Sequence, residues 1–228
     1  MNWFTNLLTS TIGKKLIMSL TGLFLISFLV IHCTINAMIF LNDGGASFSH
    51  WGHFMGTNPI IRTLEIGLVI GFLLHIIDGV GLMVQNRRAR PVSYAKVAHP
   101  DNIKITWYSR SMGLLGTLIL IFLVIHTSHF WIPNRVSQGF TNWEHGEIDL
   151  YAKMLLIFQE PWVVIIYVLG CISLLWHLLH GFRSAFQSLG LNHLKYNGLI
   201  SFVGTAFAII VPIIFALMPI SIYFGWVK

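Results

Sequence analysis

Five strongly apolar stretches, at about 16–41, 61–84, 111–132, 161–183 and 198–224, account for most of this chain's 228 residues. A run of roughly 20 apolar residues is long enough to cross a hydrocarbon layer of about 30 Å as a helix. In lipid, only a helix or a closed barrel satisfies its own backbone hydrogen bonds. The sequence therefore predicts one all-α integral membrane domain over 1–228, a bundle of five membrane-crossing helices. No length is left for a separate soluble catalytic domain. Composition agrees: 55% of residues are apolar and 10% are charged. That balance excludes a disordered tail and is unusual for a soluble domain of this length.

The net charge of +6 does not point to nucleic acid, because the charges lie in short connections between apolar stretches. They report orientation instead. With the N-terminus inside, the inner flanks carry Lys14, Lys15, Arg87, Arg88, Arg90, Lys96, Lys104, Arg110, Arg183 and Lys195, and the outer flanks only Arg62, Arg135, Lys153 and Lys228. This asymmetry follows the positive-inside rule. The first stretch follows Lys14 and Lys15, but it is too long for a signal peptide and lacks a clear cleavage site, so it is expected to be retained. Residues 1–15, with Trp3 and Phe4, read as an interfacial lead-in. Pro212 and Pro219 are expected to kink the last helix.

Four histidines sit inside these stretches, one in each of the first four: His32, His75, His126 and His177. A histidine in hydrocarbon is costly and marks a functional site by default. Counted from where each stretch enters the membrane, each lies about 15 residues deep, or roughly 22 Å of helix. Stretches one and three run outward, so His32 and His126 fall near the outer leaflet. Stretches two and four run inward, so His75 and His177 fall near the inner one. Two pairs of metal ligands at two heights, about 14 Å apart in a core of about 30 Å, suit two stacked b-type haems. Two imidazoles per iron leave no open position, which favours electron transfer over oxygen activation. Cys33 and Cys171 lie within stretches and no C-x-x-C-H motif exists, so any haem is held non-covalently. Gly79 and Gly181 each follow a histidine by four residues and so fall one turn along the same face, giving a macrocycle room to lie. The repeated H-x-x-x-G favours His177 over His180; depth favours His126 over His129.

These residues resemble a known family. Leu29-Val30-Ile31-His32 with Asn36, His75-x-x-x-Gly79, the run Gly116 to His126, and His177-x-x-x-Gly181 followed by Ser184-Ala185-Phe186-Gln187-Ser188-Leu189-Gly190 are similar to motifs of the cytochrome b membrane anchor of succinate:quinone oxidoreductases. The likeness is to the branch with one anchor polypeptide and two haems, and runs from Ile12 through the fifth stretch. It implies axial ligands at His32 and His126 for an outer haem and at His75 and His177 for an inner one. It also implies a flavoprotein and an iron–sulfur subunit docked on the cytoplasmic face, menaquinone as the quinone, and a bacterial cytoplasmic membrane. Succinate oxidation and fumarate reduction use the same parts, so the direction stays open, as does the oligomeric state. The fumarate reductase branch carries a membrane glutamate two positions before the fourth ligand; Leu175 stands there, which puts that proton path in doubt. A di-haem anchor of another quinone-linked enzyme and a histidine-using transporter are the alternatives.

Secondary residues follow from position. Glu65 lies level with the outer pair and is read either as a proton relay for quinone reduction or as an interfacial partner of Arg62. Asp78 is expected to pair with Arg88 or Arg183. Arg183 is read as a propionate clamp or a snorkelling interface residue. His129 and His180 could bond a propionate or a quinone carbonyl, or simply pack. His50, His53, His99, His145 and His193 fall in loops and match no metal template. Most tryptophans fit aromatic belts.

Overall fold

The computed structural model describes residues 10–89, 107–138 and 149–228. These residues are helical throughout, with no strand among them. The elements are α1 (Thr11–Ala37), which tightens into a 3-10 turn at Met38–Leu41, α2 (Ala46–Thr57), α3 (Pro59–Arg88), α4 (Trp107–Arg110), α5 (Met112–His129), α6 (Trp131–Gln138), α7 (Leu150–Ile157), α8 (Pro161–Ser188) and α9 (Leu194–Tyr223). Five of these segments are long and apolar enough to cross a membrane: Thr11–Leu41, Pro59–Arg88, Met112–Val136, Pro161–Ser188 and Leu194–Tyr223. They match the five stretches read from sequence to within about a turn and a half at each end.

Local signals set the ends. The Ser10 side chain accepts from the Gly13 N–H at α1. Asn58 accepts from Ile60 and Ile61, with Pro59 occupying the first helical position of α3. Asp149 accepts from Ala152 at α7. Each satisfies backbone donors that a helix leaves free at its start. Within the spans, hydroxyls turn back on their own helix: Ser19 donates to the Lys15 carbonyl, Thr34 to Val30 and Thr117 to Gly113. That closes polar groups which lipid could not serve.

Burial identifies the centre. In α8, 39% of the most apolar window is buried, against 6% in α3 and in α5. Helix α8 packs on α9, α5 and α1, while α3 leans chiefly on α1. Close approach depends on glycine notches filled by aromatic rings: Phe122 of α5 over Gly170 of α8, and Phe182 of α8 over Gly204 of α9. Helix α9 runs unbroken through Pro212 and Pro219, and Pro212 is fully buried.

Two regions read as loops contain helices. The His50-Trp51-Gly52-His53 cluster lies on α2, a 12-residue helix. Phe48 faces inward and Trp51 and Phe54 outward, so the segment is a short surface helix whose apolar pattern is too brief to read as a span. Before it, Gly44 and Gly45 take left-handed φ of +66° and +81°, and Asp43 accepts from the Ser47 N–H at 2.9 Å. Bonds from Ser47 hold the Asp43 carboxyl below its ordinary range. Beyond α5, the outer connection carries α6 and α7. Tyr151 of α7 covers Gly45 and donates to the Lys228 carbonyl at 2.6 Å. Burial and the nearby Asp43 charge raise the Tyr151 hydroxyl above its usual value. The interfacial lead-in with Trp3 and Phe4, the basic stretch with Arg90, Lys96, His99 and Lys104, and the acidic one with Trp143, Glu144, His145 and Glu147 lie outside the described residues.

The notches give a contrast to measure. A Cβ on Gly170 would stand 2.6 Å from the Phe122 ring, and one on Gly113 would stand 2.5 Å from the Met83 sulfur. A packed ring cannot give way as a thioether can. Gly170→Ala is expected to destabilise the bundle by about 1–3 kcal/mol and Gly113→Ala by less, read as thermal unfolding in detergent. Equal losses would show that ring rigidity does not control the α5–α8 contact.

Candidate functional site

The four membrane histidines belong to four different long helices: His32 to α1, His75 to α3, His126 to α5 and His177 to α8. They meet two by two. The His32 and His126 ring centroids are 5.8 Å apart, and those of His75 and His177 are 6.3 Å apart. Two imidazoles bound to one metal through metal–nitrogen bonds of about 2 Å have centroids on the order of 6 Å apart. The rings paired by depth in the sequence are the rings that meet in the fold.

The height between the pairs can be read from inter-helix contacts. Thr21 of α1 lies at the level of His75, its Oγ 3.1 Å from the ring Nδ1. His32 is three turns further along α1, about 16 Å. Gly116 of α5 lies at the level of His177, a Cβ there falling 3.8 Å from ring Cε1. His126 is just under three turns further, about 15 Å. Two helices thus give the same spacing, close to the sequence expectation.

Several features fit the pairs to a metal-centred group. His126 Nδ1 and His177 Nδ1 are buried with no hydrogen-bond partner among the described residues. Leaving such a nitrogen unused costs about 1–3 kcal/mol unless a ligand takes it up. His75 is set up by a neighbour. The Thr21 hydroxyl has one proton, and its nearest acceptor is the Ile17 carbonyl at 2.8 Å. With the proton there, it accepts from His75 Nδ1–H, the tautomer that leaves Nε2 a free lone pair for a metal. Asn36 donates to the His32 carbonyl at 2.8 Å and lies 3.3 Å from His32 Nδ1. An amide nitrogen can only donate, so this contact, unlike that of Thr21 with His75, does not place a proton on His32 Nδ1. The His32–His126 pair is walled by aromatic rings: Phe28 and Phe215 beside His32, and Phe122, Phe130 and Tyr167 beside His126. The His75–His177 pair has glycines against it, Gly22 beside His75 and Gly116 beside His177. Among the described residues no group of three or more metal-ligating side chains occurs. A transporter or a classical protein-only metal site would gather ligands at one level; two separated pairs need only two protein ligands each.

Other anticipated residues fall as follows. A Cβ on Gly79 would meet Met18 of α1 at 3.5 Å, and one on Gly181 would meet nothing within 4 Å. The glycines nearest the histidine rings are instead Gly22 and Gly116, on neighbouring helices where spacing within one helix does not reveal them. Arg183 is exposed and lies with Gln187, Asn192 and Asn197 at the turn into α9. It is about 120° around α8 from His177 and about 9 Å further along, off the face that carries the pair. Asp78 does not pair with Arg88 or Arg183; its Oδ2 has no partner among the described residues. Arg88 is ten residues further along the same helix, about 15 Å away. His129 bonds to Tyr167, whereas His180 makes no described hydrogen bond.

Glu65 has more partners than the sequence suggested. Arg62 donates to it. So does the Trp131 indole N–H at 2.6 Å, and Arg135 donates to both carboxylate oxygens at 2.9 Å. Arg135 is buried. A bidentate guanidinium is the strongest form of this contact. It ties the start of α3 to α6 at the end of the bundle nearer the His32–His126 pair. Trp131 and Arg135 lie 66 and 70 residues beyond Glu65, so a motif scan along α3 could not find them.

Comparison with protein-family models, with characterised proteins and with solved structures finds no match to this chain. The functional reading rests on its own residues and on the resemblance of its motifs.

Glu65→Gln removes the counter-charge of two guanidinium groups. The expected outcome is a loss of about 2 kcal/mol, seen as a melting temperature lower by about 5 °C. A melt unchanged from wild type would leave the clamp without structural weight.

Proposed function

We propose that this chain is the di-haem cytochrome b membrane anchor of a succinate:quinone oxidoreductase. It would pass electrons between an iron–sulfur partner subunit and a quinone, menaquinone by the family likeness, in a bacterial cytoplasmic membrane. The observation that carries the proposal is the meeting of four membrane imidazoles in two pairs, 5.8 and 6.3 Å between centroids. His32 and His126 would hold the outer haem b, and His75 and His177 the inner one. When bound, these groups supply one-electron transfer, because two imidazoles per iron leave no open position.

The chain's own residues supply the rest. Thr21 fixes the proton on His75 Nδ1 and keeps Nε2 available. Apolar helices exclude water around both pairs. The basic flanks favour an inside N-terminus; with that orientation the flavoprotein and iron–sulfur subunits would dock near His75 and His177. Glu65, at the outer end, is retained as a proton relay for quinone reduction. To bind a proton it must first release one of the donors that hold it. Slower quinone turnover in Glu65→Gln, with both haems retained, would support that role.

A reduced-minus-oxidised optical spectrum tests the main reading. The wild-type protein is expected to show b-type haem in two components. His75→Leu and His177→Leu should each remove one component, and His32→Leu and His126→Leu the other. Absence of haem from the wild type, or four replacements that leave both components intact, would overturn it.

The Thr21 contact gives a finer test. Loss of a hydrogen bond that orients a metal-binding histidine commonly weakens affinity by about 10–100-fold. Thr21→Val is expected to lower retention of the inner haem by that order and to spare the outer one, read by titrating haem into the membrane-extracted chain. Equal effects on both would show that the hydroxyl does not act through His75.

A further inference from the structure

Beside the outer pair is a second imidazole that ligation does not use. His129 lies one turn beyond His126 on α5, toward the outer end. Its Nδ1 is 3.0 Å from the Tyr167 hydroxyl of α8, and the two rings are parallel within 2° with centroids 5.9 Å apart. Tyr167 is buried and also touches His126, Phe122 and Phe158. Its ring is therefore wedged in place.

The direction of this bond follows from what each group can do. His129 Nδ1 is the hydroxyl's one hydrogen-bond partner among the described residues. Were the imidazole the donor, the phenol proton would be left without an acceptor in a buried place, at a cost of about 1–3 kcal/mol. The phenol therefore donates to Nδ1, and the neutral ring carries its own proton on Nε2. The two ring nitrogens of an imidazole point in roughly opposite directions. Nε2–H thus faces away from Tyr167. It has no described partner, and it is not among the side-chain atoms that are sealed and unsatisfied. Lys153 of α7 is a nearby cation.

We infer that the Nε2–H of His129 binds a carbonyl oxygen of the quinone, with Tyr167 as the residue that holds the ring in the donating tautomer. This rests on the reading of the chain as a quinone-reacting anchor and names the group that would receive the quinone. A planar diketone with a lipid tail needs an N–H donor near the outer pair that is not sealed inside the bundle. His129 is half-buried, one turn from His126, and its Nε2 is not among the sealed, unsatisfied atoms. Tyr167 acts only through His129 and is a positioning residue.

The test uses the full chain with its haems, purified in detergent and titrated with 2,3-dimethyl-1,4-naphthoquinone, with the reduced-minus-oxidised spectrum recorded for every variant. His129→Leu removes the donor and is expected to weaken naphthoquinone binding about 10-fold or more, with both haem components as in wild type. His129→Gln keeps an N–H donor and should recover most of the affinity. Tyr167→Phe should lose less than His129→Leu. In the assembled complex, His129→Leu should raise the quinone KM by a similar factor and change kcat less. Wild-type binding by His129→Leu, or equal losses in His129→Leu and His129→Gln, overturns the inference. If His129→Leu fails to assemble, the comparison of His129→Gln and Tyr167→Phe with wild type decides it: strong binding by the first and weakened binding by the second support it, and the reverse order overturns it. Absence of haem from the wild type would instead overturn the anchor reading, which the spectrum reports separately.

Discussion

An imidazole inside hydrocarbon is stable only if its nitrogens are used, and this chain sets four of them there in two facing pairs. That requirement shapes the bundle around them. To bring His75 to His177, α3 must reach α8 although it leans mainly on α1. To bring His126 to His32, α5 must lie close enough to α8 for Phe122 to fill the notch at Gly170. Helix α8 is the most buried of the five spans because it packs on α9, α5 and α1 together.

The two pairs have different surroundings. The His32–His126 pair is enclosed by the rings of Phe28, Phe122, Phe130, Tyr167 and Phe215. The His75–His177 pair has a threonine hydroxyl and two glycines against it. Burial and hydrogen bonding near a ligand are the levers a protein has on a bound metal's potential. In the proposed reading, one chain thus offers two chemically distinct environments about 15 Å apart, with the outer end braced by Glu65 and Arg135.

How far the sequence showed this depends on the range of the contact. The five spans were legible because an apolar run of about 20 residues is a long, uniform signal. The pairing of His32 with His126 and of His75 with His177 was legible too, since depth along alternating helices is simple arithmetic on a 1.5 Å rise. The short helices α2, α6 and α7 were not, because eight to twelve residues of mixed polarity resemble a loop. Contacts between helices were hidden for a different reason. Gly22, Gly116, Tyr167 and Arg135 matter through partners many residues away, and periodicity within one helix carries no information about them. Gly79 and Gly181 show the limit plainly: the spacing placed them one turn from a histidine, but it could not say what faces them. The split reading of Glu65 had the same origin. Arg62 was visible at three residues' distance, while Trp131 and Arg135 were not.

The order of the pairs along the chain also matters. The first helix meets the third, and the second meets the fourth, so the partnerships interleave instead of closing one after another. During synthesis His32 must wait until α5 has entered the membrane, and His75 until α8 has. Neither site exists while only two helices are in place. In the proposed reading, a group gripped by both histidines of a pair would therefore be held only after threading is well advanced, and it would fasten together segments that emerged from the ribosome far apart in time.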